Sequence, residues 1–288
     1  MLTDAVRAEA FRLIRNRGAV FWSVLFVPVA TLILGVLTVF LTKARETEIP
    51  AELQLELGMG GDAVNLGHAL VSIVGDVANP GVLLFVAMGA ASVWAGDYRW
   101  ETWRLISARN SRPNLILAKL GVVAGLAFAA MVALTLFMLA YEMIRAGVFE
   151  RPLTFSLTGA EIGDMATLWA LNWLRIIQVT VLGLFVAVLS RSLLAALFVP
   201  LVAIIVWGVL PQLLAMQGFM PTSWLTQLLS PDAAFSMLKA MVLSNPDAPS
   251  AALGEMPFVK AGLSATLWTL APIAGALVLF QRQDLSKE

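Results

Sequence analysis

Six long apolar stretches dominate this sequence, and they limit its possible folds more than any other feature. An α-helix rises about 1.5 Å per residue, so about 20 apolar residues are needed to cross the hydrocarbon core of a bilayer. The charged fraction is 13%, against about 25% in ordinary soluble domains. The sequence therefore predicts an all-α integral membrane protein, one domain over residues 1–288, with six transmembrane helices at residues 19–41, 80–95, 115–144, 168–189, 193–210 and 261–280.

The distribution of charge predicts how these helices are oriented. The chain as a whole is neutral, with 19 basic and 19 acidic residues. Most of the basic residues fall in the segments that lie inside if the N-terminus is inside, and most of the acidic residues fall in the opposite segments. Basic residues near the ends of membrane helices favour the cytoplasmic side. We therefore expect an N-in, C-in protein in contact with the lipid bilayer. The neutral total argues against a nucleic-acid partner.

Two further segments have helical patterns without being long enough to span the membrane. Residues 1–18 alternate basic residues with an apolar stripe, which predicts an interfacial helix on the inner surface. The alternative is a charged anchor that only fixes the topology. The predicted outer loop at residues 211–260 contains an apolar stretch broken at Ser230, Pro231 and Asp232. We expect short re-entrant or interfacial helices before the last span, the alternative being a plain amphipathic surface helix.

The chain lacks most of the parts that enzymes and ion-coupled transporters need. It has no glycine-rich phosphate-binding loop and no cysteine, and His68 is its only histidine. A single histidine in a polar loop is expected to be solvated. No predicted span carries a carboxylate near its middle, where a proton or sodium site is usually found. We expect a non-catalytic chain with no catalytic residue, metal site or cofactor of its own.

Residues 97–112, between the second and third predicted spans, form a dense basic and aromatic segment on the predicted inner side. Arginine side chains offer planar forks that suit carboxylates on a soluble partner. The alternative is that the charges only set topology and that the aromatic residues form an interfacial belt. The candidate partner-docking residues are Asp97, Arg99, Glu101, Thr102, Arg104, Arg109, Ser111 and Arg112.

This order of parts resembles the permease subunit of type-2 ABC transporters. That family has a coupling helix between spans two and three, with a loose motif of an acidic residue, Gly-Thr, basic and leucine-rich residues, Ser-Arg and a lysine entering span three. Glu101 stands where the family usually has glycine. The matching residues here are Asp97, Thr102, Arg104, Leu105, Ser111, Arg112 and Lys119.

The resemblance implies a function that the residues alone do not state. It implies a cytoplasmic ATP-binding subunit that carries ATP and Mg, and a second permease copy or homologue in a homo- or heterodimer. It also implies export of an amphiphilic or hydrophobic substrate across a bacterial cytoplasmic (inner) membrane. Two alternatives stay open: an ion-coupled secondary transporter, and a non-transporting membrane scaffold or assembly factor.

The fourth predicted span carries an unusual polar group. Asn172, Arg175 and Gln178 are three residues apart and share one helical face. They are a candidate lining for a substrate path. Alternatively, Arg175 snorkels to the interface, or it forms a structural ion pair with Glu142 of the third span.

Overall fold

The computed structural model describes residues 2–50, 52, 59, 62–99, 103, 110–243 and 255–283. Within these residues, six helices are long and apolar enough to cross a membrane, which confirms the predicted number. They are α2 (Arg17–Ala44), α4 (Pro80–Arg99), α5 (Arg112–Val148), α6 (Gly159–Ser190), α7 (Leu193–Met216) and α10 (Pro257–Arg282). The shorter helices are α1 (Leu2–Arg15), α3 (Leu66–Gly75), α8 (Trp224–Leu229) and α9 (Pro231–Leu243), and two short strands are β1 (Val64–Asn65) and β2 (Leu153–Thr154).

Most of the long helices extend beyond the apolar runs that predicted them. The polar first turns of α6 show the reason. Thr158 caps this helix by accepting a hydrogen bond from the Glu161 amide, and the Glu161 carboxylate accepts one from the Thr158 amide in return. This capping box starts the helix at Gly159, before the apolar run that was predicted from residue 168. Backbone hydrogen bonding, rather than hydropathy, therefore sets where the helix begins.

Helix α6 lies at the centre of the bundle and packs against α4, α7 and α10. Most of its mid-section is buried, and the Trp94 indole of α4 donates a hydrogen bond to the Thr180 carbonyl of α6. Helices α2 and α7 lie at the periphery and leave long apolar faces exposed, as expected where lipid surrounds a protein. The described core forms two large clusters, one near each end of the bundle.

We call the two ends of the bundle the segment end, where residues 97–112 leave α4 and enter α5, and the loop end, which is opposite. At the segment end, α1 packs along α5 and buries Ala5, Glu9 and Leu13. Near the same end, α2 contains a π-helical turn at Phe21–Leu25 that packs on α4 and α5. Ser23 of this turn lies so close to Gly89 that a Cβ atom at position 89 would stand 2.0 Å from its hydroxyl.

At the loop end, short elements close over the long helices. Strands β1 and β2 pair in parallel, and α3 packs against α5 and α6. Helices α8 and α9 pack against α10. Pro211 cannot donate the helical hydrogen bond to the Trp207 carbonyl, and the buried Ser230 hydroxyl donates to that carbonyl at 2.9 Å instead. The break between α8 and α9 thus satisfies a carbonyl that the proline leaves open.

Candidate functional site

Four charged side chains meet at the segment end, where residue 97 starts the predicted docking segment. The Lys119 ammonium of α5 lies 2.6 Å from the Asp97 carboxylate of α4 and 3.2 Å from that of Glu9 on α1. The Arg12 guanidinium lies 2.6 Å from Asp97 and 3.0 Å from Glu9. We call these four residues the charge cluster. It joins the neighbouring helices α4 and α5 to α1, whose Arg12 is 85 positions from Asp97.

Three members of the charge cluster, Glu9, Asp97 and Lys119, are buried, while Arg12 is 44% exposed, and the four charges balance. Asp97 and Lys119 are 0% and 1% exposed, and Lys119 also donates to the Val93 carbonyl at 2.8 Å. A buried charge is tolerated when it is paired and hydrogen-bonded, and here two acids face two bases. Burial acts against the charge of Arg12, but its hydrogen bond to Asp97 and the charges of Asp97 and Glu9 outweigh this effect and raise the pKa of Arg12.

Trp103 fixes the middle of the segment inside the bundle. Its side chain is 1% exposed, and its ring centroid lies 4.5 Å from that of Phe280 on α10 and 5.4 Å from that of Tyr98. The Lys119 ammonium lies 5.3 Å from the Trp103 centroid, within cation–π distance. Tyr98 donates a hydrogen bond from its hydroxyl to the Gln283 side chain at 2.9 Å. Tyr98 and Trp103 therefore pack against other helices instead of forming the aromatic belt considered from the sequence.

Arg112 fixes the end of the segment to the last helix. Its guanidinium donates to the carbonyls of Phe280, Gln281 and Gln283, at 2.8, 3.0 and 2.7 Å. The last carbonyls of a helix have no partner within the helix and carry a partial negative charge, which a cation satisfies. Arg112 is thus a side-chain cap on α10, and Ser111 is the N-cap residue of α5.

The predicted docking residues therefore fall into two groups, those that the structure describes and those that lie outside the described residues. Asp97, Ser111 and Arg112 lie at the edges of the segment, and we assign Asp97 to anchoring it because its carboxylate is fully buried. Arg99 ends α4. The others, Glu101, Thr102, Arg104 and Arg109, lie outside the described residues, so their docking role stays a prediction.

The polar residues of α6 are brought together, and each has a contact inside the bundle. Asn172 is 0% exposed, donates to the Val74 and Leu168 carbonyls, and accepts from the Ala78 amide. Arg175 donates to the Gln178 side chain at 2.7 Å. These bonds hold the connection between α3 and α4 against α6. A role for the three residues in lining a substrate path stays a prediction.

The ion pair between Glu142 and Arg175, one alternative drawn from the sequence, is wrong: the structure pairs each residue with a different partner. Arg175 pairs with Asp232 at 3.1 Å, and Glu142 pairs with Arg145 on its own helix at 3.4 Å. The reason is the fold-back of α8 and α9, which places the first turn of α9 against α6. The sequence showed a break at Asp232 but not which helix this residue would contact.

Sequence reasoning missed four residues: Glu9, Arg12 and Lys119 as partners of Asp97, and Asp232 as the partner of Arg175. One pattern could have indicated the pair of Asp97 and Lys119. Each is a charge next to or within an apolar helix, and such charges are usually paired with each other. Comparisons of the chain with models of protein families, with curated proteins and with solved structures find no match.

Proposed function

We propose that this chain is the transmembrane permease subunit of an ATP-driven transporter of the type-2 ABC class. In this proposal, a separate ATP-binding subunit docks on residues 97–112, and two permease chains work as a dimer. The chain is N-in and C-in, α1 lies on the inner membrane surface, and α8 and α9 are the short helices before the last span. The transported substrate is amphiphilic or hydrophobic, and it is exported.

The observation that carries this proposal is how the docking segment is attached. Its first residue is held by α1 and α5 through the charge cluster, Trp103 is packed against α10, and Arg112 caps the end of α10. A segment attached only at its two covalent ends would bend when a docked partner pushes on it. A segment held at three points transmits that force to α1, α4, α5 and α10 together. Such attachment suits a site where a partner pushes on membrane helices.

The side chains on the two faces of α1 support its proposed position on the inner membrane surface. Ala5, Glu9 and Leu13 face the bundle, while Phe11 and Ile14 are 60% and 71% exposed. The exposed face also carries Arg7 and Arg15. Apolar and basic side chains on one exposed face suit the boundary between acyl chains and anionic headgroups.

The first test is whether ATP hydrolysis requires a partner. The tagged chain, purified from its source membranes with its associated proteins, should bring down a protein that contains a phosphate-binding loop, and the complex should hydrolyse ATP. The chain purified alone should not, because it has no such loop. A chain that transports under a proton or sodium gradient without ATP would overturn the proposal in favour of a secondary transporter.

The second test places the docking site. Reversing Arg104 and Arg109 together to Glu should reduce capture of the ATP-binding subunit at least tenfold, because charge at an interface edge governs association and partner choice. The matched control is Arg7→Glu with Arg15→Glu, which changes charge equally on an exposed face of α1 and leaves the charge cluster intact. Equal loss in both double variants would mean general electrostatics, and the segment would lose its assignment.

A further inference from the structure

A large cavity lies at the loop end, between α2, α3 and α5. Its volume is 460 Å³, within the range of about 300–1,000 Å³ typical of small-molecule sites. It opens partly to the outside. It is separate from the charge cluster and from the polar residues of α6, so neither the docking segment nor the candidate path accounts for it.

The walls of this cavity combine apolar surface with negative charge. Ile73 of α3 and Leu134 and Met138 of α5 supply apolar surface, and the Tyr141 ring stands against Gly35 of α2. Two carboxylates complete the lining, that of Asp76 after α3 and that of Glu142 on α5, and none of the lining residues is basic. An occupant with an apolar body and a positive charge would find both apolar contacts and opposite charge here, whereas an anion would face two carboxylates of like charge.

The ion pairs that these carboxylates make within the protein are weak, so they would compete poorly with a bound cation. Asp76 pairs with Lys239 at 2.9 Å, but its side chain is 82% exposed. Glu142 pairs with Arg145 on the same helix at a longer 3.4 Å. Ion pairs near solvent contribute only about 0–1 kcal/mol, so a bound cation can share or replace them at small cost. A metal ion is a poorer candidate, because no group of three or more acidic or histidine side chains among the described residues could hold one.

We propose that this cavity binds amphiphilic monovalent organic cations. Glu142 is the inner charge partner, Asp76 is the partner at the mouth, and Met138 and Tyr141 contact the apolar body. The inference concerns binding by this chain alone, without an ATP-binding subunit. It therefore stands or fails separately from the proposed function.

The test uses two probes of the same shape and opposite charge. The purified chain in nanodiscs of zwitterionic lipid is dialysed against radiolabelled tetraphenylphosphonium, with empty nanodiscs as the baseline for partition into lipid. We expect saturable binding that unlabelled tetraphenylphosphonium displaces. In a separate dialysis without the cation, radiolabelled tetraphenylborate should show no saturable binding above the empty nanodiscs. Saturable binding of both probes with equal affinity would overturn the proposal, because it would show an apolar site without charge recognition.

Variants then assign the binding to this cavity. Glu142→Gln should weaken binding about tenfold and Asp76→Asn several-fold, while Glu142→Asp should retain most of it because the charge is kept. The matched control is Asp164→Asn, which removes one negative charge at the same end from a residue that does not line the cavity. The exposed Asp76 can be changed without threatening the fold, so its result stands even if Glu142→Gln expresses poorly. Unchanged affinity in Asp76→Asn, and in the variant that carries both Asp76→Asn and Glu142→Gln, would overturn the assignment.

Discussion

The charge cluster should behave as one energetic unit, and a double-mutant cycle on Asp97 and Lys119 tests this. Removing one partner of a buried ion pair usually costs about 3–5 kcal/mol, because the other charge is left uncompensated. Here the cost is reduced. After Lys119→Met, Asp97 keeps Arg12 at 2.6 Å, and after Asp97→Asn, Lys119 keeps Glu9 at 3.2 Å and the Val93 carbonyl. We therefore expect each single variant to lose about 2 kcal/mol of unfolding free energy.

The double variant should lose clearly less than the sum of the single losses. With both residues neutral, Glu9 and Arg12 remain paired at 3.0 Å and the site stays balanced. The coupling energy should exceed about 1 kcal/mol. The assay is equilibrium unfolding of the purified variants in one detergent, followed by circular dichroism as a denaturing detergent is added.

An exposed pair on the same protein provides the control for this cycle. Lys43 and Glu46 lie 2.7 Å apart near the loop end of α2, with both side chains more than a third exposed. Their coupling in Lys43→Met and Glu46→Gln should be under about 0.5 kcal/mol. If the coupling of Asp97 with Lys119 is no larger than that of the exposed pair, the cluster does not hold the segment and the mechanical reasoning built on it fails.

Three further predictions test the orientation, the corrected ion pair and the packing. In this cysteine-free chain, a membrane-impermeant thiol reagent should label Phe155→Cys in sealed cells and Ala8→Cys only after permeabilisation; labelling of position 8 in sealed cells would refute the N-in orientation. Asp232→Asn should lower the unfolding free energy by about 1–3 kcal/mol, because it leaves the buried Arg175 without its carboxylate, whereas Glu142→Gln should lower it by under about 1 kcal/mol. If a thermal melt shows the larger loss for Glu142→Gln, Arg175 pairs with Glu142, as the sequence suggested. Gly89→Ala should destabilise by about 1–3 kcal/mol through its clash with the Ser23 hydroxyl, and Ser23→Gly in the same chain should recover part of the loss; no recovery would place the strain elsewhere.

The number and approximate position of the long helices could be predicted from sequence because hydropathy over about 20 residues is a local property. The ends of the helices were less accessible. Helix α6 starts at a capping box, and polar residues in its first turns, such as Glu161, keep these turns out of the apolar run. The prediction therefore began at residue 168, while the helix begins at Gly159.

The contacts of the site could not be predicted in the same way, because they depend on tertiary packing. Lys119 lies in an apolar helix, and the sequence offered Glu9, Asp97 and other acidic residues as partners without ranking them. The choice between Glu142 and Asp232 for Arg175 required knowing that α9 folds back against α6. The cavity at the loop end could not be predicted either, because the sequence predicted no helix at the position of α3.

The charge cluster also bears on how the chain is assembled during synthesis. Asp97 lies in the last turn of one apolar helix and Lys119 lies in the next, so either helix inserted alone would take an unpaired charge towards lipid. When α4 and α5 insert together as a hairpin, Asp97 and Lys119 neutralise each other before they reach the acyl chains. Helix α1 is made first, yet its Glu9 and Arg12 find their partners only after this hairpin has formed. The N-terminal helix can therefore complete the charge cluster only after α4 and α5 have been made, and the contacts of Trp103 and Arg112 with α10 form later still.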